Sequence, residues 1–190
     1  MNTFKGHLDK FINISEEEYT SVLSFFQVLE ISKKENLTLS GEICRSLYFV
    51  QKGCLRKFFI NEKGVEQTTE FAIENWWITD TFAYERQAKS SFTIQSVERS
   101  TVLVIDLQSQ EKLLKKHPVM ERYFRMIYQR AYAAAERRIR YLYEMSREEL
   151  YIHFSTQYPW FIQRIPQYLI ASFLGFTPEY LSEIRAKLRS

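Results

Sequence analysis

Gln167 to Leu188 reads QYLIASFLGFTPEYLSEIRAKL, and this stretch decides how the rest of the chain is read. Its spacing predicts two short helices crossing at a tight turn, the packing pattern of a helix-turn-helix whose second helix is offered to DNA. Ala171 is small where the two helices meet, and Gly175 follows four residues later, where the turn requires a positive φ. Ile170, Leu174, Leu181 and Ile184 are apolar at the positions that close the small core. Thr177-Pro178-Glu179 starts the second helix with a hydroxyl cap, a proline at the first helical position and an acid in the first turn. Pro166 opens the first helix. An ordinary helical hairpin with a glycine cap shares these features, so the elements before it carry weight.

Upstream, Met145 to Gln163 predicts a further helical stretch, begun by Ser146-Arg-Glu-Glu149 at capping-box spacing and broken by Pro159. Pro118 opens a long helix to about Glu144. On it Phe124, Tyr128, Ala131, Ala135, Leu142 and Met145 recur on steps of four and three, with Arg138 interrupting the seam. A seam of this kind suits pairing with a second copy, and Ala131 and Ala133 to Ala135 let two backbones approach closely. Packing on its own domain is the alternative use of the same face. Leu107 to Lys116 reads as a short helix.

Between Ile31 and Asp106 the period changes from helical to alternating. Leu37–Leu39, Ser46–Gln51, Cys54–Ile60, Val65–Phe71, Phe92–Val97 and Ser100–Ile105 read as short strands, with Gly41, Gly53 and Asn61-Glu62-Lys63-Gly64 as turns. The pattern predicts a small antiparallel barrel or jelly roll. Glu74 to Ser91 is a less regular aromatic segment. Residues 1–30 read as helical, with a capping box from Ser15 to Glu18 and Tyr19, Val22, Leu23, Phe26 and Leu29 at helical spacing. Tyr158 to Ile162 is the one candidate strand flanking the terminal motif.

Composition narrows the function. No apolar run approaches the ~20 residues of a membrane span, and MNTFKGHLDK has no export-signal core. With two cysteines, Cys44 and Cys54, this points to a cytoplasmic protein without a disulfide scaffold. Met1 to His117 carries 15 Lys/Arg against 16 Asp/Glu, whereas Pro118 to Ser190 carries 11 against 7. A neutral front and a basic rear fit an effector domain followed by a phosphate-contacting one. His7, His117 and His153 stand far apart with no ligand spacing, so no metal is expected, and each reads as a surface or capping histidine. No nucleophile elbow, phosphate loop or acid/base pair appears, so no catalytic residue is assigned.

The order of helix, short-strand barrel, long helix and terminal helix-turn-helix, with LYFVQKGCLRKFFINEKGVEQTTEFA (Leu47 to Ala72) and Pro166 to Leu188, resembles the Crp/Fnr family of bacterial transcription regulators. The resemblance implies an α+β fold. Residues 1–117 would form a cyclic-nucleotide-binding-like barrel, 118–145 a dimerisation helix and 146–190 the helix-turn-helix domain. It implies a homodimer, double-stranded DNA and RNA polymerase as partners, and an effector pocket in the barrel. Cyclic-nucleotide readers of that family hold ribose with a glutamate in Gly-Glu and phosphate with an arginine in Arg-Ser/Thr-Ala. Here Thr79-Asp80 and Ser90-Ser91-Phe92 stand at those places. Asp80 retains an acceptor, but Ser90 offers phosphate no charge. Arg86 or Lys89 would have to substitute. The pocket, assigned to Trp76, Trp77, Asp80, Ser90, Ser91 and Phe92, is therefore expected to take an effector other than cAMP, or none, its space being filled by Trp76, Trp77, Phe82 and Phe92.

On the second helix the outward residues are Pro178, Glu179, Tyr180, Ser182, Glu183 and Arg185. The family's Arg-Glu-x-x-x-Arg set is matched only at Glu179, which suits a cytosine amino group. Pro178 and Glu183 occupy the arginine positions. DNA contact is assigned to Thr177, Glu179, Tyr180, Ser182 and Glu183, with Arg185, Lys187 and Arg189 meeting phosphates, joined by Arg164. The rival reading is a ligand-binding module of the same barrel type whose tail meets a protein. A cupin-like enzyme would need histidines on the strands, and they have none.

Overall fold

The computed structural model describes residues 3–188. Arg189, assigned above to phosphate contact, lies outside them. The chain forms two compact units, Met1–Phe59 with Glu70–Gln129, and Ile60–Thr69 with Arg130–Ser190.

The strands, most of them in the first unit, form a jelly roll of two four-stranded antiparallel sheets. Strands β1 (Gln27–Ile31), β8 (Ser100–Asp106), β3 (Ser46–Lys52) and β6 (Trp77–Ile78) form one, in the order β1-β8-β3-β6. Strands β2 (Asn36–Thr38), β7 (Thr93–Ser96), β4 (Leu55–Ile60) and β5 (Glu66–Ala72) form the other, in the order β2-β7-β4-β5. Ile31, Tyr48, Val50, Leu55, Ala72, Ile78, Ile94 and Val102 fill the space between the sheets. Leu47 and Phe49 of β3 and Leu103 and Ile105 of β8 point the other way. There they meet Phe4, Leu8, Phe11, Val22, Leu113, Met120, Tyr123 and Phe124. Strand β3 is thus buried on both faces, which is why LYFV is a continuous apolar run instead of an alternation.

The helices behind that second cluster are α1 (Thr3–Leu8), α2 (Glu16–Leu23), α4 (Leu107–Lys116) and the start of α5 (Val119–Glu144). Helix α2 has the expected capping box, Glu18 N–H donating to Ser15 Oγ and Ser15 N–H to Glu18 Oε2. Those bonds hold the Glu18 carboxyl below its ordinary pKa. The helical reading of residues 1–30 fails after Leu23. Gln27–Ile31 pairs with β8, Val28 opposite Leu103 and Glu30 opposite Thr101. Phe26 and Leu29 fit helical spacing, but the free edge of β8 takes this segment as a strand.

Glu74 to Ser91 contains β6 and helix α3 (Thr81–Arg86), capped by Asp80. Trp77 packs on the outer cluster and donates from Nε1 to Tyr123 Oη at 2.8 Å, while His7 Nδ1 lies 2.9 Å from the same oxygen. His7 is 7% exposed, so the surface reading of this residue is corrected: its ring packs among Phe11, Phe49 and Tyr123. His117 caps α4, its Nε2 lying 2.9 Å from Ser21 Oγ.

In the second unit α6 (Arg147–Gln157) carries the expected capping box at Ser146 and Glu149. Residues Tyr158 to Ile162 form no strand. Pro159 instead occupies the first turn of helix α7 (Pro159–Arg164), where its missing N–H costs nothing. Helices α8 (Gln167–Leu174) and α9 (Pro178–Lys187) complete the chain. No helix among the described residues is long and apolar enough to cross a membrane.

Candidate functional site

Two places carry candidate function, one in each unit. In the first, Asp80 organises the segment that corresponds to the effector pocket. Its Oδ1 accepts from Ala83 N–H at 3.2 Å, capping α3. Its Oδ2 accepts from Ser91 N–H at 3.0 Å and from Ser90 Oγ–H at 3.1 Å. Ser90 Oγ also accepts from Phe92 N–H at 3.1 Å. Asp80 and Ser90 are buried, Phe92 half-buried and Ser91 exposed. Four of the six pocket residues therefore come together, and the carboxylate is taken up by the chain's own donors.

The two tryptophans stand elsewhere. Trp76 is 53% exposed and Trp77 faces the outer cluster. Phe82 is 63% exposed, with the Arg86 guanidinium 4.3 Å from its ring centre. The expectation that these aromatics fill the barrel is thus corrected: Trp76 follows the positive-φ turn at Asn75, and Phe82 sits on the exposed side of α3. Arg86 and Lys89 are exposed as well.

The inward cation is one that sequence reasoning missed. Lys57 shares a face of β4 with Leu55, so the strand's two-residue period points it into the barrel. Its Nζ donates to Thr79 O at 3.0 Å, lies 2.5 Å from Glu70 Oε2, and stands 5.5 Å from the Phe92 ring centre. The alternation of Leu55 with Lys57, and of Glu70 with Ala72, was the available signal. Asp80→Ala removes the α3 cap and the acceptor of the Ser91 amide, and leaves Ser90 Oγ only Phe92 O to donate to. It should cost about 2–3 kcal/mol by urea denaturation; a cost under 0.5 kcal/mol would contradict this bracing.

In the second unit the turn between α8 and α9 is a Schellman motif. Gly175 has φ 77°, its N–H donates to Ser172 O at 3.3 Å, and Phe176 N–H donates to Ala171 O at 2.8 Å. Phe176 is buried and closes the apolar contact that accompanies this motif, a residue not singled out in the sequence. Ala171, Ile170, Leu174, Leu181 and Ile184 are all buried together, as their spacing required. Thr177 Oγ1 accepts from Tyr180 N–H at 3.2 Å and caps α9.

Helix α9 then presents Thr177, Glu179, Ser182, Glu183 and Lys187 to solvent, with Arg185 half-buried. Tyr180 turns back. Its ring packs on Phe176 at 5.6 Å, and the Arg147 guanidinium lies 5.7 Å from it. Arg164 is half-buried at the end of α7.

From Arg130 onward α5 is almost entirely exposed. Tyr132 (66%), Ala135, Ile139 (56%) and Leu142 (52%) form an exposed stripe at steps of three, four and three, flanked by Tyr143 (89%). The stripe differs from the seam read in the sequence. Phe124 is buried in the first unit's core, and Arg138 is turned toward α8. Tyr128, Ala131, Ala135 and Leu142 of that seam are exposed, and Ile139 is exposed beside them. Among the described residues no three His, Cys, Asp or Glu side chains gather to hold a metal ion.

Comparison with known proteins agrees with this architecture. The model of the cyclic nucleotide-binding domain family matches residues 28–117. No curated protein matches the chain in sequence. Among solved structures, the catabolite activator protein of Thermus thermophilus superposes with a TM-score of 0.59 at 18% identity, over 93% of this chain and 84% of that one. FixK2 of Bradyrhizobium japonicum gives 0.70 at 17% identity, over 86% and 84%. The c-di-GMP responsive global regulator CLP of Xanthomonas campestris gives 0.69 at 11% identity, over 92% of each chain. Residues 28–117 thus resemble a cyclic nucleotide-binding domain in sequence. Joined to the long helix and the helices after it, this is the fold of Crp/Fnr-type regulators, to which the sequence already pointed.

Proposed function

We propose that this chain is a homodimeric, cytoplasmic transcription regulator that binds double-stranded DNA through α9. Residues 1–117 act as effector domain, 118–145 as dimerisation helix and 146–190 as DNA-binding domain, with RNA polymerase as the partner at promoters. The observation that carries this reading is the turn at Gly175: it closes the α8–α9 core while leaving Glu179, Ser182 and Glu183 exposed on one helix. The stripe on α5 supports pairing, because its tyrosine, isoleucine and leucine are each more than half exposed.

The effector, if the barrel takes one, is not held as cAMP is held. Ser90 supplies no charge to a phosphate, Asp80 is occupied, and the inward Lys57 is neutralised by Glu70. A second reading, a barrel module whose tail meets a protein, is favoured by one feature: Glu179 and Glu183 place two acids on the face meant for DNA.

Selection of bound sequences from random duplex DNA at two salt concentrations separates the readings. We expect a twofold-symmetric consensus and an affinity that falls steeply with salt. Arg185→Ala should weaken binding to every site, while Glu179→Ala should relax one base position, worth about 1–3 kcal/mol of discrimination. Recovery of no enriched sequence at low salt would favour the protein-binding module.

A further inference from the structure

Ile60–Thr69, the turn of the β4–β5 hairpin with the first four residues of β5, belongs to the second unit. The turn is stiffly made. Asn61 Oδ1 accepts from the N–H groups of Lys63 and Val65 at 3.0 Å each, and Asn61 N–H donates to Val65 O at 3.0 Å. Beyond it, the edge of β5 meets α8 through Ser172. Thr68 N–H donates to Ser172 Oγ at 2.9 Å, and that hydroxyl lies 2.8 Å from Glu66 O and 3.1 Å from Thr68 Oγ1. One serine hydroxyl therefore satisfies backbone groups that the strand edge would leave open.

Arg138 of α5 reaches the same place. Its Nη1 donates to Thr69 O and its Nη2 to Phe173 O at 2.8 Å, with the guanidinium 4.0 Å from the Phe173 ring centre. Phe173 O is one of the last carbonyls of α8, which have no partner within the helix, so Arg138 caps α8 from outside. α5, α8 and the start of β5 are thus tied at one point by the side chains of Arg138 and Ser172. The contact engages α8 and leaves the outward residues of α9 exposed.

We infer that Ser172 and Arg138 are positioning residues: they latch the hairpin to α8 and so hold the DNA-reading helix in one pose. This rests on the DNA-binding reading above. A pinned head loses less freedom on binding than a loose one, so the latch raises DNA affinity instead of blocking it.

The test uses the full-length protein, with Ser172→Ala and Arg138→Gln as independent variants and the exposed Arg137→Gln as control. Hydrogen–deuterium exchange is followed over residues 60–72 and 167–176, and affinity is measured on the selected duplex. Each latch variant should speed exchange in both segments about tenfold. Each should also weaken DNA binding about tenfold, with the salt slope unchanged, while Arg137→Gln matches the parent. Unchanged exchange in both variants overturns the latch. Faster exchange with equal or tighter DNA binding overturns the positioning role. Should one variant fail to fold, the other carries both measurements. If the parent binds no duplex the proposed function fails, and exchange alone still decides whether the latch exists.

Discussion

Replacing Ile139 and Leu142 together by aspartate is expected to turn the dimer into a monomer and to reduce operator affinity about a hundredfold or more. Both side chains are more than half exposed on α5, so the substitutions remove little burial within the chain. Their effect falls on what covers the stripe. Burying two apolar side chains and their symmetry mates supplies several kcal/mol at ~25 cal/mol per Å², and four buried carboxylates reverse the sign. A monomer must then bind one half-site at a time and loses the gain of two linked contacts. Sedimentation should show the 22.9 kDa species alone, with an unchanged circular dichroism spectrum. A variant that remains dimeric would place the interface elsewhere.

Gly53→Ala is expected to cost about 3–5 kcal/mol, enough to unfold many small domains. Gly53 has φ 103°, and a Cβ there would lie 2.2 Å from Ser100 Oγ and 2.7 Å from Ser100 Cα. The second contact is with backbone, so no rotamer relieves it. Ser100 cannot yield either, since it is buried at the start of β8 and its Oγ accepts from Cys54 N–H at 3.2 Å. Gly175→Ala is the proper comparison: φ is 77°, but nothing lies within 4 Å of the added carbon, and only the local strain of ~1–2 kcal/mol applies. Urea denaturation of the two variants should separate them by at least about 2 kcal/mol; equal losses would show that the β3–β4 turn can move away from Ser100.

What was legible in the sequence was what local chemistry decides. Ser15 with Glu18, Ser146 with Glu149 and Thr177 with Pro178 mark helix starts because the cap bonds lie within four residues. Gly175 marks a turn because few other residues adopt its φ. What was not legible depended on distant partners. Gln27–Ile31 becomes a strand because β8 offers an edge, a fact written some seventy residues away. Trp77 joins the outer cluster because Tyr123 accepts its N–H. Arg138 looked like a flaw in an apolar seam until Thr69 and Phe173 were seen to receive it. In the candidate pocket the sequence assigned Asp80 and Ser90 to one site, where a hydrogen bond joins them. It gave no warning that their groups would satisfy each other, or that Lys57 would be the inward cation.

The most direct measurement is a hydroxyl-radical footprint of the full-length protein on its selected duplex. Two protected half-sites, related by a twofold axis and centred about one helical turn or a whole multiple of it apart, are expected from paired α9 helices. Uniform cleavage along the duplex at low salt, or protection of a single unpaired half-site, would contradict a dimer that reads DNA.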